Sequence, residues 1–395
     1  EFAGGGTDLF RPWKGNFVSR GSVGKHLVIL CGGKSAEHEV SFQSSSAILR
    51  HLDPAKYQIS ALGIQKDGSL YPPETTQREL NLEDSQVVDF PEGRHWVSVL
   101  MELRPAPEVV FPVLHGPFGE DGTVQGTLEV LNIPYVGSGV WGSAVGMNKV
   151  HSKKILLQEG LPVLPFLSLT RNEWEEDRED FLQCLARELS YPIFVKPANL
   201  GSSIGINKSA NGVELLEHVE TALRYDDQAI VEQGIDAREI EVSVLGNNDP
   251  KISVAGEIIP SGEFYSYEAK YLDQESQLLI PAPLSHEEMG QVQDLALATF
   301  RALKLEGMAR IDFLMDRGTA QFWISEPNTI PGFTEISMYP RLWEASGLGY
   351  SQLLDTLIDL GLERQRRRSR FQARHPGHRR HCPRHPLRRA VWHRQ

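Results

Sequence analysis

Two stretches of this chain combine residue types that can do chemistry. The first reads Phe194-Val-Lys196-Pro-Ala-Asn-Leu-Gly201-Ser202-Ser203-Ile-Gly205. A strand delivers a lysine, and the loop after it offers backbone N–H groups and hydroxyls unencumbered by bulky side chains, which suits a polyphosphate. The spacing is neither a Walker A nor a GxGxxG dinucleotide turn opening a helix; an ordinary glycine hairpin would carry the same residues. The second pairs Arg310-Ile-Asp312 with Glu326-Pro-Asn328. Side chains two apart on a strand share a face, so Glu326 and Asn328 can converge and Asp312 can join them from a neighbouring strand. Three oxygen ligands with no Cys or His suit Mg²⁺ shared with phosphate oxygens, and a solvated polar face is the alternative.

Four weaker signals accompany these. Gly33-Lys-Ser-Ala-Glu37-His-Glu-Val-Ser follows the first strand, where open parallel sheets place ligands; its carboxylates could hold an ammonium or simply begin a helix. His115 ends another strand within HGPFGEDG and could equally be structural. Phe264-Tyr-Ser-Tyr-Glu-Ala-Lys270-Tyr271 is aromatic and charged, with core packing as its alternative, and Pro331-Gly332-Phe-Thr-Glu-Ile-Ser337-Met338 offers an N–H and a hydroxyl beside the acidic group or a plain turn.

The elements that must position these residues follow from pattern. An apolar run from Lys25 ending in paired glycines predicts a buried parallel strand, with a helix over 36–51 opening an α/β unit. Further strands are predicted at 59–64, 109–114 and 133–136, with a helix at 122–131. Beyond Gly137 a helix at 149–159, strands at 192–197, 206–208 and 230–233, and a helix at 213–224 form a small α+β unit. Strands at 239–245, 252–259, 309–315 and 321–326 suit an antiparallel sheet, whose faces helices at 286–303 and 350–363 would cover.

The 395 residues carry 40 Lys+Arg against 52 Asp+Glu, a soluble globular composition too long for one compact unit. No stretch reaches the apolar length of a membrane span. Three scattered cysteines exclude a disulfide framework and point to a reducing compartment, by default the cytosol. The charge is uneven: residues 25–363 hold 25 basic against 50 acidic groups, whereas residues 364–395 hold twelve Arg, five His and no carboxylate. So acidic a body repels nucleic acid, and any polyanion would have to be bound by the tail.

GGKSAEHEVS, HGPFGEDG, GSGV followed by MNK, FVKPANLGSSIG, VEQGIDAREIEV, YSYEAKY, MARIDF, EPNTIPGFTEISMYP and ASGLGY occur in that order over residues 25–361. Together they resemble the D-alanine-D-alanine ligases of the ATP-grasp superfamily. The resemblance implies an α/β, three-domain ATP-grasp fold with an N-terminal open parallel-sheet domain (25–137), a central subdomain with the glycine-rich loop (138–232) and a C-terminal domain with the metal site (233–361). Residues 1–24 would be a disordered extension or a foreign remnant. The segment 362–395 matches nothing in the family and reads as a disordered arm or as sequence from outside the proper frame.

By the same resemblance, Lys149, Lys196 and Lys270 contact ATP phosphates, and the Gly201, Ser202, Ser203 loop covers them. Glu232, Gln233 and Ile235 lie along adenine, with Glu239 on the ribose. Asp312, Glu326 and Asn328 match ligands of two Mg²⁺ ions, with Mn²⁺ as a substitute. Glu37 matches the residue on the first D-alanine's ammonium, with His115 close by; Arg310 and the Gly332 amide match the oxyanion donors; Ser337 and Met338 match the second substrate's carboxylate site. Ser202 and Tyr271 belong to the group closing the site. Asn148 departs from the family's more usual Asp, and Pro327 between two metal ligands predicts an edge strand or irregular geometry. The implied enzyme joins two D-alanines at the expense of ATP for peptidoglycan synthesis, as a cytoplasmic homodimer. The alternatives are a D-alanine-D-lactate ligase, against which Tyr271 argues, and an inactive nucleotide-binding relative.

Overall fold

The computed structural model describes residues 24–81, 90, 93–202, 204–260 and 277–370. Strands β1 (Lys25–Gly32), β2 (Tyr57–Ile64) and β3 (Val109–Pro112) form a parallel sheet in the order β2-β1-β3. Leu27 through Cys31 are completely buried, as a strand covered on both faces must be. Helices α1 (His38–His51), α2 (Pro73–Leu80), α3 (Trp96–Glu102) and α4 (Thr123–Val130) accompany it. The strand predicted at 133–136 is reduced to one parallel bridge between Val110 and Tyr135, because Pro134 has no N–H to extend the ladder.

Helices α5 (Val140–Met147) and α6 (Lys149–Gln158) lead into a second unit. Here β4 (Phe166–Thr170), α7 (Arg171–Glu176), α8 (Arg178–Glu188), β5 (Ile193–Pro197), β6 (Asn207–Ser209), α9 (Gly212–Tyr225) and β7 (Gln228–Gln233) build an antiparallel sheet ordered β4-β7-β5-β6. Asn148 caps α6 by accepting from His151 N at 2.8 Å, and its Nδ2 donates to Asn199 Oδ1 at 2.8 Å, a bond an aspartate could not make.

The third sheet runs β10-β9-β8-β11-β12, from β8 (Ala237–Gly246), β9 (Lys251–Ile259), β10 (Gln277–Leu279), β11 (Gly307–Asp316) and β12 (Phe322–Asn328). One face packs on α10 (His286–Ala302) through Val292, Ala296 and Phe300. The other meets α11 (Met338–Ala345), whose Met338 and Leu342 lie against Ile258. Strand β12 is an edge strand, where Pro327 costs no ladder bond.

The last helix, α12 (Tyr350–Ser369), differs from expectation twice. Instead of covering only the third sheet, it shares a core with the first: Leu353, Leu354, Leu357 and Ile358 pack with Leu27, Ile29 and Phe111. Gly361 permits this approach, since a Cβ there would lie 2.6 Å from Tyr135 O. The tail boundary expected at residue 362 also falls inside this helix. Arg364 is buried, stacks 4.1 Å from the Tyr135 ring centroid and donates to Tyr135 O at 2.7 Å and to Gly137 O. Arg367 pairs with Glu306, and Arg368 with Glu129. These arginines satisfy carbonyls and acids of the neighbouring units, so this part of the arginine run is a packed segment and not a free arm.

Candidate active site

Along β11, Ile311, Phe313 and Met315 point into the core while Arg310, Asp312 and Leu314 alternate outward. Phe313 pairs with Ile324 but Asp312 with Glu326, so Ser325 is one extra residue on β12. That bulge shifts the side-chain phase and brings Glu326 and Asn328 onto the face of Asp312. Asn328 Nδ2 lies 2.9 Å from Asp312 Oδ2. Arg310 grips Asp312 through two bonds of 2.7 and 2.8 Å, and its Nε lies 3.0 Å from Glu241 on β8. Lys149 reaches across from α6 to Glu326 at 2.9 Å. The Asp312, Glu326 and Asn328 donors are all oxygen-bearing, and each carboxylate already faces a cation, the counter-charge a divalent ion would supply. Among the described residues no cluster of three His, Cys, Asp or Glu is spaced for a metal, so an ion here would depend on phosphate oxygens for its remaining ligands.

Lys149 also donates to Leu200 O at 2.7 Å, tying α6 to the glycine-rich loop. Lys196 on β5 and Lys153 on α6 hold the two oxygens of Glu232, at 2.6 and 2.7 Å. Burial alone would raise the Glu232 carboxyl, but the two lysines outweigh it and hold it at about 2. Burial pulls Lys153 below the usual lysine range; Lys196 is equally desolvated, yet Glu232, Glu326 and Glu239 together raise it. The Gln233 side chain is occupied with Ser190, accepting from its N at 2.9 Å and donating to its O at 2.7 Å, so this residue faces a ligand with backbone only. Ile235 follows it, and Glu239 lies at the start of β8, opposite Leu314.

Glu37 is buried at the N-terminus of α1, and Ser202 of the glycine-rich loop donates to it across 165 residues of sequence. Gly116, at φ +74°, leaves the space: a Cβ would lie 2.6 Å from Glu37 Oε2. A cleft of about 330 Å³ opens between residues 34–37 on one side and Asn199, Leu200, Gly201 and Ile204 on the other. His115 is buried beneath, 2.9 Å from Ile330 O, and burial holds its pKa below the ordinary histidine value. Gly332 lies in the loop after β12, where Ser337 Oγ accepts from Thr334 N at 3.0 Å. Ser337 and Met338 stand at the N-terminus of α11, where the helix dipole favours an anion.

Glu37, His115, Ser202, Lys149, Lys196, Arg310, Asp312, Glu326 and Asn328 are thus linked by contacts that cross all three sheets. Ser203, Lys270 and Tyr271 lie outside the described residues. The sequence reading passed over Lys153, one helical turn from Lys149, and Glu241, two residues from Glu239; spacing alone places each beside a residue already singled out. It also passed over Glu120, which accepts from Gly116 N at 2.7 Å and Ile330 N at 3.0 Å, its pKa raised to about 8 by burial and then by Glu37.

A glycine-rich hairpin facing an acidic strand pair, with lysines between and a buried carboxylate opposite, defines a ligase of the ATP-grasp class. Profiles described as D-ala D-ala ligase N-terminus and D-ala D-ala ligase C-terminus match residues 26–138 and 155–359. The D-alanine--D-alanine ligase of Natranaerobius thermophilus is 47% identical over 355 residues, covering 87% of this chain and 96% of that one. That of Thermoanaerobacter sp. strain X514 is 48% identical over 356 residues, covering 86% and 97%. Among solved structures, the D-alanine-D-alanine ligase from Coxiella burnetii superposes with a TM-score of 0.74 at 35% identity, covering 88% of this chain and 96% of that one. The VanG D-Ala:D-Ser ligase from Enterococcus faecalis gives 0.74 at 34%, covering 86% and 99%. The chain belongs to the D-alanine-D-alanine ligase family, and ATP use comes with that membership. No helix among the described residues is long and apolar enough to cross a membrane.

Proposed function

We propose that this chain joins two D-alanines into D-alanyl-D-alanine for peptidoglycan synthesis, with ATP cleaved to ADP and phosphate. The observation that carries this reading is the Ser202–Glu37 bond, which puts the phosphate loop directly against the buried carboxylate suited to an amino acid's ammonium. In this reading the three sheets are three domains, 25–137, 138–232 and 233–361, closed on one cleft.

A carboxylate is a poor electrophile, so the first D-alanine, its ammonium on Glu37 with His115 beneath, attacks the γ-phosphate and becomes an acyl phosphate. Lys149 and Lys196 exchange Glu326 and Glu232 for phosphate oxygens and neutralise the charge moving there. Mg²⁺ held by Asp312, Glu326 and Asn328 supplies further neutralisation of those oxygens when bound. The adenine lies along Glu232, Gln233 and Ile235, with Glu239 on the ribose. The second D-alanine, its carboxylate at Ser337 and Met338, attacks as the free amine. Arg310 and the Gly332 N–H receive the oxyanion. Gly201 and Ser202 exclude water from the acyl phosphate. Ser203, Lys270 and Tyr271 belong to the same closing group, and the active species is a homodimer.

The test is phosphate release from ATP and Mg²⁺ with D-alanine, D-alanine plus D-lactate, L-alanine or no amino acid, with products weighed by mass spectrometry. Release that requires D-alanine and yields the dipeptide is the expected result. ATP binding without release under any condition, or a depsipeptide as the main product, would overturn the reading.

A further inference from the structure

The loop carrying Gly332 is gripped from the first domain on both sides, by groups whose proton positions can be deduced. Ile330 O can only accept, so His115 Nδ1, 2.9 Å away, carries a hydrogen. His115 is buried and therefore neutral, which leaves its Nε2 bare. Ser44 Oγ lies 2.9 Å from that nitrogen and must donate to it. The same oxygen accepts from Phe333 N at 3.2 Å. A directed chain results: Phe333 N–H to Ser44, Ser44 O–H to His115 Nε2, and His115 Nδ1–H to Ile330 O. It pins the residues flanking Pro331-Gly332, and Ser44, fully buried on α1, is its only member that fixes both the imidazole tautomer and the loop.

We propose that Ser44 is a positioning residue for the second half of the reaction, aiming the Gly332 amide at the oxyanion through Phe333 and His115. This inference rests on the ligase reading above. In productive turnover the amine nitrogen bonds to the acyl carbon, the carbon–oxygen bond to phosphate breaks, phosphate leaves, and the amine's proton passes to solvent. In the leak, the acyl phosphate meets water once the site reopens, away from the Gly332 amide; water bonds to the same carbon, the bond to phosphate breaks, and D-alanine and phosphate are returned. Both routes release one phosphate, so phosphate per dipeptide reports how the acyl phosphate is partitioned. A residue that only stabilised the fold would lower both products together and leave that ratio unchanged.

The experiment measures phosphate and dipeptide in the same reaction with the full-length enzyme, its Ser44→Ala, Ser44→Cys and Ser44→Thr variants, and Ser45→Ala. Ser45 is equally buried on α1 but makes none of these bonds. The wild type and Ser45→Ala are expected near one phosphate per dipeptide. One lost hydrogen bond of ~1 kcal/mol raises the leak, counted as phosphate in excess of dipeptide per dipeptide formed, roughly fivefold in Ser44→Ala. Ser44→Cys, of similar volume but weaker bonding, should also be raised, and Ser44→Thr should return toward the wild type. An unchanged ratio in Ser44→Ala, or in Ser44→Cys should the alanine variant not fold, overturns the proposal. Absence of dipeptide from the wild type overturns instead the ligase reading beneath it.

Discussion

Glu232 lies between Lys153 and Lys196 with almost no solvent around it, and its carboxyl is held at about 2 against ~4.3 in an unfolded chain. Between those values the unfolded state binds more protons, so stability rises with pH through this window. The carboxylate's contribution is complete above the unfolded value and disappears as pH falls through the folded one. Wild type should therefore exceed Glu232→Gln by about 3 kcal/mol above pH ~5, with the gap closing near pH ~2; urea unfolding at a series of pH values checks this. Arg310 holds both Asp312 and Glu241. Arg310→Ala should lower kcat by roughly 10² to 10³ while ATP affinity, read by titration calorimetry, changes little. Equal losses in both would make Arg310 a nucleotide ligand and remove it from the oxyanion step.

The bulge at Ser325 is where local sequence becomes site geometry. Deleting Ser325 leaves Phe313 opposite Ile324 and Asp312 opposite Glu326 in plain alternation, so Glu326 and Asn328 should stay on the face of Asp312 and ADP production should survive with far-ultraviolet circular dichroism close to wild type; lost turnover would show that the acidic group needs the local geometry of the bulge and not its register alone. The same strand pair shows what could be read beforehand. Alternation in MARIDF and ISEPN already placed Arg310 with Asp312 and Glu326 with Asn328, because side-chain period is local. That the two pairs share one face depended on a single inserted residue, which alternation within either strand does not reveal. Lysine and glycine in FVKPANLGSSIG suited either a phosphate or an ordinary hairpin, and the Lys196–Glu232–Lys153 grouping required β5, β7 and α6 to meet in space. The short helices α2, α3, α5, α7 and α11 were not legible in the sequence, since each spans few turns for a 3.6-residue pattern to stand out, and α8 was not because only Leu185 along it is buried, which leaves no apolar stripe.

Across the whole molecule, the arginine run divides into a packed part and a remainder. Removing residues 371–395 should leave turnover unchanged, whereas truncation at Leu362 discards Arg364 and its carbonyl contacts and should cost ~3 kcal/mol, read as a lower thermal midpoint. A truncation at Leu362 as stable as the full chain would return those arginines to the free arm first expected. Helix α12 also ties the first sheet to the end of the chain: Lys25 pairs with Asp359, 334 residues later, and Ile29 packs with Ile358. On a ribosome adding ~5 to 20 residues per second, the first sheet emerges and then waits on the order of half a minute before the helix that covers it exists. The nascent chain carries an open apolar face throughout that interval, so the first of the three sheets to emerge is also the one that waits longest for its cover.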